Sequence, residues 1–168
     1  MSIRTFLSVT SCKLSRFILR KLGKGGTNVP GRVALAIDPH VLGKLAKGVT
    51  TIIVTGTNGK TTTSRMIERS LEESGYRFFA NKSGANMLSG ITAEFAMHSG
   101  LGGKNKYPYA LIECDEAAFK TVSKYVDAKC VVVTNVFRDQ LDRYGEVTHT
   151  LNSILTGIKN SPNAVVCI

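Results

Sequence analysis

Residue types able to hold a polyphosphate stand together in the run Thr50-Thr51-Ile52-Ile53-Val54-Thr55-Gly56-Thr57-Asn58-Gly59-Lys60-Thr61-Thr62-Thr63. Ile52, Ile53 and Val54 are β-branched and apolar, as in a strand buried in a parallel sheet. Gly56, Thr57, Asn58 and Gly59 are small, so backbone N–H groups can turn toward an anion at the start of the next helix. Lys60 offers a mobile cation to the β and γ phosphates, and Thr61 offers a hydroxyl to Mg²⁺. Nucleotide contacts are therefore assigned to Gly56 through Thr62, with Lys60 also acting in catalysis. The usual loop of this kind has a glycine five residues before its Gly-Lys-Thr. Here Val54 stands there, and Gly56 comes three residues before Gly59.

The elements that must position this loop alternate. Strand-like apolar runs recur at Tyr109–Cys114, Lys129–Thr134 and Ala164–Ile168. Helical patterns fall between them: Thr62–Ser74 with Met66, Ile67 and Leu71 inward, then Glu116–Tyr125 and Glu146–Ile158. Such alternation predicts an α/β fold, a mostly parallel sheet with helices on both faces. Sheets of this type gather ligands beyond the carboxyl ends of their strands, which singles out three segments. Glu113, Asp115 and Glu116 follow one strand. A carboxylate there suits Mg²⁺, whereas Asp115 and Glu116 are read as helix caps. Asn135, Arg138 and Asp139 follow another. The third, Phe78–Gly90, has the Asn, Ser and Gly content of a substrate or phosphate loop, with Asn86 as its candidate.

The charge is uneven. Residues 1–50 hold nine lysines and arginines against Asp38 alone, leaving thirteen against eleven acids in the rest. Within the basic portion Ile3, Phe6, Leu7, Leu14, Phe17, Ile18 and Leu22 recur at helical spacing, with Arg4, Lys13, Arg16, Arg20 and Lys21 on other faces. The stripe is read first as packing on the main domain. A membrane-surface helix and an organelle transit peptide are the alternatives for residues 1–37, which contain no acid. Gly23 to Gly31 punctuates the chain, and a short helix over about Pro39–Lys47 leads to the first strand. Residues 1–49 thus form a helical segment and linker, and 50–168 the nucleotide-binding domain.

Several classes are excluded. No apolar run approaches the length of about 18 residues that a membrane-spanning helix needs. A pI near 9.7 invites nucleic acid, yet no aromatic-rich basic strand or nucleic-acid signature accompanies it. Cys12, Cys114, Cys130 and Cys167 lack short paired spacing, so neither zinc nor a disulfide framework is indicated, and Cys130 and Cys167 read as core residues.

Thr-Gly-Thr-Asn-Gly-Lys-Thr-Thr resembles the nucleotide loop of the Mur ligase and folylpolyglutamate synthase superfamily. Those enzymes use ATP and Mg²⁺ to turn a carboxylate into an acyl phosphate that an amine attacks. The resemblance implies that Glu113 binds magnesium together with Thr61 and serves catalysis. Thr134-Asn135-Val136-Phe137-Arg138-Asp139-Gln140-Leu141-Asp142 is similar to a family stretch with histidine where Gln140 stands. The family's carbamylated lysine would fall near Ile154, so no carbamylation is expected. Only 49 residues precede the first strand, too few for the family's usual uridine-nucleotide domain. Together with Gly25-Gly26-Thr27-Asn28-Val29-Pro30-Gly31 and Glu113-Cys114-Asp115-Glu116-Ala117, these stretches look like the superfamily branch that amidates lipid II.

That resemblance implies activation of the α-carboxylate of D-glutamate in the lipid II stem peptide, with ammonia from a GatD-like glutaminase partner. It implies cytoplasmic work at the inner face of the plasma membrane. A zinc-binding cysteine cluster would lie beyond Ile168, where the last strand stops without a turn or polar tail. The chain is read as the N-terminal piece of a longer protein, with its central domain incomplete and inactive alone. A folylpolyglutamate-synthase-like ligase and a non-catalytic nucleotide-binding module are the alternatives.

Overall fold

The computed structural model describes residues 2–23, 26, 28–81, 84–137 and 146–168. Five strands, β1 (Thr50–Thr55), β2 (Phe78–Ala80), β3 (Tyr109–Glu113), β4 (Ala128–Val133) and β5 (Val165–Cys167), form one sheet in the order β2-β3-β1-β4-β5. Every pairing is parallel. The helices are α1 (Ile3–Lys21), α2 (Asn28–Ile37), α3 (Val41–Ala46), α4 (Lys60–Glu73), α5 (Leu88–His98), α6 (Glu116–Val122) and α7 (Glu146–Lys159). The predicted α/β class with a parallel sheet is what the structure contains.

The strand order places the site. From β1 the chain crosses over β3 to reach β2, and from β3 it crosses back over β1 to reach β4. Right-handed crossovers running in opposite directions lie on opposite faces of the sheet, so α4 stands on one face and α5, α6 and α7 on the other. The packing agrees: α4 rests on β1 and β3, while α6 packs on both α5 and α7. Because β1 lies between β3 and β4, the residues following these three strands meet at one point.

The core carries Ile53, Ile112 and Val131 from the sheet and Phe95, Phe119 and Ile154 from the helices. Val9, Cys12, Leu42 and Leu45 of the N-terminal segment belong to the same cluster.

Five parts of the sequence reading are corrected. The stretch taken as punctuation does follow the end of α1 at Lys21, but its last four residues, Asn28–Gly31, already start α2, whose Pro30 sits in the first turn, where its missing N–H costs nothing. Gly31 lies against α5 so closely that a Cβ would meet the Ser89 carbonyl. The Phe78–Gly90 segment contains β2 and leads into α5, which is buried almost continuously from Gly90 to Ala96 and so shows no amphipathic period. The apolar stripe of α1 faces away from the domain: Ile3, Leu14 and Phe17 are 78%, 57% and 57% exposed, while Thr5, Ser8, Val9 and Cys12 are buried. Met66 is also exposed rather than inward, leaving Ile67 and Leu71 partly buried. Cys167 is exposed on edge strand β5, and Cys130 is only partly buried.

Candidate active site

The loop after β1 takes the shape its glycines allow. Gly56 has φ +126°, and a Cβ there would lie 2.4 Å from Thr134 Oγ1 and 2.7 Å from the Asn135 carbonyl oxygen. Only glycine lets the loop pass this close to the end of β4. Gly59, at φ +82°, is the left-handed N-cap from which α4 begins, and no side chain caps that helix. The first-turn N–H groups have no intrahelical partner, so they point from a positive helix end at the space above the sheet.

Two asparagines hold this arrangement from either side. Asn135, after β4, accepts from the Asn58 N–H through Oδ1 and donates through Nδ2 to the Asn58 carbonyl, each at 3.0 Å. Thr134 Oγ1 donates to the same carbonyl at 2.6 Å, and the Thr57 N–H donates to the Asn135 carbonyl at 3.0 Å. Asn135 therefore spends its amide on the loop itself. Asn81, after β2, does the equivalent for β3. Its Oδ1 accepts from the Glu113 N–H and its Nδ2 donates to the Glu113 carbonyl, both at 2.8 Å, and Nδ2 also donates to the Ala85 carbonyl at 2.9 Å.

Held in this way, Glu113 accepts through Oε2 from Thr61 Oγ1 at 2.9 Å. The pair presents a hydroxyl oxygen and a carboxylate oxygen beside the helix start. Mg²⁺ keeps several waters and takes one or two protein oxygens together with phosphates, so this donor set fits it. Among the described residues no group of three or more His, Cys, Asp or Glu is placed to hold a metal ion without such added ligands. The Lys60 Nζ donates to the Gly56 carbonyl, to the Thr57 carbonyl at 3.1 Å, and to Glu116 Oε2 at 3.3 Å. Glu116, expected as a cap, is thus the counter-ion of Lys60. Asp115 alone caps α6, accepting from the N–H groups of Ala117 at 3.0 Å and Ala118 at 3.3 Å.

A cleft of about 440 Å³ opens beside the Thr61–Glu113 pair, with Ala80, Asn81 and Leu111 on the sheet side and Ser64, Arg65 and Glu68 on the α4 side. Cys114 is buried at the end of β3. Burial, reinforced by Asp115 and Glu116 and opposed by Lys60, pushes its thiol far above the ordinary range, so it stays protonated and inert. Asn86 meets this region through its backbone, its carbonyl accepting from the Asp115 N–H at 3.0 Å. Ile154 is buried in the apolar core. Arg138, Asp139 and Gln140 lie outside the described residues. Sequence reasoning passed over Asn81. Its signal was its place directly after a strand adjoining that of Glu113.

A bare loop before a helix N-terminus, a lysine at the first position of that helix and a threonine–glutamate pair beside it together make an arrangement suited to a polyphosphate and a divalent cation. The Mur ligase middle domain matches residues 54–168, and the chain belongs to the Mur ligase family. The particular relatives are narrower in kind. The chain is 41% identical over 169 residues to the lipid II isoglutaminyl synthase (glutamine-hydrolyzing) subunit MurT of Streptococcus pneumoniae, covering 100% of this chain and 37% of the relative. It is 42% identical over 159 residues to the same subunit of Staphylococcus aureus, covering 94% of this chain and 36% of the relative. It therefore spans little more than a third of the length of these relatives. Among solved structures, the MurF ligase of Thermotoga maritima in complex with ADP matches with a TM-score of 0.63 at 20% identity, over 82% of this chain and 31% of that one. That likeness concerns the fold.

Proposed function

We propose that this chain is the nucleotide-binding part of a MurT-type amide ligase in peptidoglycan synthesis. In this reading ATP phosphorylates the α-carboxylate of D-glutamate in the lipid II stem peptide. A carboxylate oxygen bonds to the γ-phosphorus as the bond to ADP breaks. Ammonia from a GatD-like glutaminase then attacks the acyl carbon, phosphate leaves, a proton is lost, and D-isoglutamine remains. The observation that carries the ligase reading is the Thr61–Glu113 pair, 2.9 Å apart beside the uncapped start of α4. The identity to MurT relatives over the whole chain favours amidation over folate glutamylation or nucleotide binding alone.

The residues divide the work. Gly59 to Thr62 present N–H groups to the phosphates, and Asn135 keeps the loop shaped to do so. Lys60, released from the Gly56 and Thr57 carbonyls, follows the negative charge that develops on the transferred phosphoryl group. Glu113 and Thr61 would hold Mg²⁺, which would neutralise phosphate charge. Arg65, on the wall of the neighbouring cleft, is a cation suited to a carboxylate substrate. Lipid II as substrate would bring the enzyme to the inner face of the plasma membrane. Among the described residues no helix is long and apolar enough to cross that membrane.

The test is ATP-dependent amidation of lipid II by the full-length protein with its glutaminase, read by mass spectrometry of the stem peptide. Lys60→Ala is expected to lower turnover by on the order of 10²–10³-fold, the loss seen when one group stabilising transition-state charge is removed. Near-normal turnover would refute the phosphate-loop assignment. Glutamate addition to folate without amidation would refute the substrate.

A further inference from the structure

α1 is bonded to the domain by its polar face. Thr5 Oγ1 donates to Asp38 Oδ2 at 3.1 Å, and Ser8 Oγ donates to the Ala34 carbonyl at 2.8 Å. Lys13 Nζ donates to the Ser99 carbonyl at 2.5 Å, and Arg16 pairs with Glu94 at 2.8 Å. With 3.6 residues per turn, Ile3, Phe6, Leu7, Leu14, Phe17 and Ile18 then occupy an arc of about 120° on the opposite side. All six are exposed. At 1.5 Å per residue this apolar band, from Ile3 to Ile18, is roughly 24 Å long.

The charges around the band have one sign. Arg4 stands at one end and Arg20 and Lys21 at the other, all exposed. Residues 1–37 contain no acid, and the two carboxylates bonded to α1, Asp38 and Glu94, are buried. Beside the band a groove of about 560 Å³ runs between Phe17 and Met97, edged by Arg20 and Lys21. An apolar band with cations at both ends and no exposed acid on its helix complements an anionic lipid surface. The apolar side chains reach the acyl boundary while arginine and lysine meet phosphate.

We infer that the outward face of α1 docks this protein on anionic bilayers, lying flat in the headgroup region. The inference deepens the proposed function and rests on its membrane-anchored substrate for purpose. The docking itself requires no ATP chemistry.

The experiment is co-sedimentation of the full-length protein with vesicles of pure phosphatidylcholine or of phosphatidylcholine mixed with phosphatidylglycerol, whose anionic headgroups give a negative surface potential. A parallel assay follows amidation of a water-soluble stem peptide. One variant carries Leu7→Ser, Leu14→Ser and Phe17→Ser. A second carries Arg4→Gln, Arg20→Gln and Lys21→Gln, leaving Lys13 and Arg16 in their domain bonds. Each cation near the surface contributes about fivefold in affinity, so the second variant should bind the anionic vesicles on the order of a hundredfold more weakly. The first should lose binding, both should keep soluble-peptide activity, and binding should fall as salt is raised.

Absence of wild-type sedimentation with anionic vesicles at low salt would overturn the inference. So would equal binding by the Ser variant, the result expected if another part of the protein or a second copy covers this face. Loss of soluble-peptide activity in Lys60→Ala with vesicle binding intact separates the failure of one reading from the failure of the other.

Discussion

Replacement of Asn81 by alanine tests whether a residue bonded to the backbone of Glu113 sets the geometry of the site. Three hydrogen bonds vanish at once: two to the Glu113 backbone at 2.8 Å and one to the Ala85 carbonyl at 2.9 Å. Asn81 is buried, and Glu113 is 7% exposed, so water does not readily take over. A typical protein hydrogen bond contributes about 1 kcal/mol net, and each buried group left unpaired costs about 1–3 kcal/mol. The expected loss of stability is therefore roughly 3 kcal/mol by urea unfolding. The same change frees the end of β3, so the Mg²⁺ concentration needed for half-maximal ATP binding, measured calorimetrically, should rise. Asn81→Asp should be no better, because a carboxylate would then face the Ala85 and Glu113 carbonyls without a donor. Asn135→Ala is the control. Its partner groups on Asn58 are near solvent, so nucleotide affinity should fall while stability changes by about 1 kcal/mol or less. If Asn81→Ala costs less than about 1 kcal/mol, or no more than Asn135→Ala, Asn81 does not hold Glu113 in place.

Glu113→Gln should impair ATP-dependent turnover more than Asp115→Asn, because Glu113 faces Thr61 while Asp115 is occupied with α6. Asp115→Ala should instead cost about 1 kcal/mol of stability, and the reverse ranking in turnover would mean that Asp115 is the reactive carboxylate. Burial pushes the His98 imidazole below its ordinary value. Glu94 opposes this, while Arg16, Lys106 and Lys13 lower it further. The unfolded chain then takes up a proton at higher pH than the folded one, so the contribution is complete above about pH 6.5 and is lost as pH falls through the folded value. His98→Phe should flatten the decline in urea midpoint between about pH 7 and 5, and parallel declines in both proteins would refute that role.

Local chemistry was readable and bonding partners were not. The loop from Gly56 to Thr62 could be read because a strand, two glycines, a lysine and a threonine are adjacent in the chain. The end of an apolar run offered Glu113, Asp115 and Glu116 together, and the resemblance to the Mur ligases singled out Glu113 among them. β2 is three residues long and carries no alternation, and α5 is buried on nearly all sides, so neither offers a period. The amide of Asn81 reaches Glu113 across 32 positions, and nothing near Asn81 in the chain announces that partner.

α1 shows the limit most clearly. Periodicity located its apolar stripe, but a period says only which residues share a face. Which face turns inward depends on what the domain offers, and here, beside the core contacts of Val9 and Cys12, it offers polar groups: the Asp38 and Glu94 carboxylates and the Ala34 and Ser99 carbonyls. Asp38 is the decisive case. Burial alone would raise its carboxyl, yet bonds from Lys44, the His40 N–H and Thr5 hold it below the ordinary range, so it stays ionised and needs its donors. An ionised buried carboxylate cannot be covered by leucine at comparable cost. The polar face of α1 therefore goes in, and the apolar face is left for a solvent that suits it.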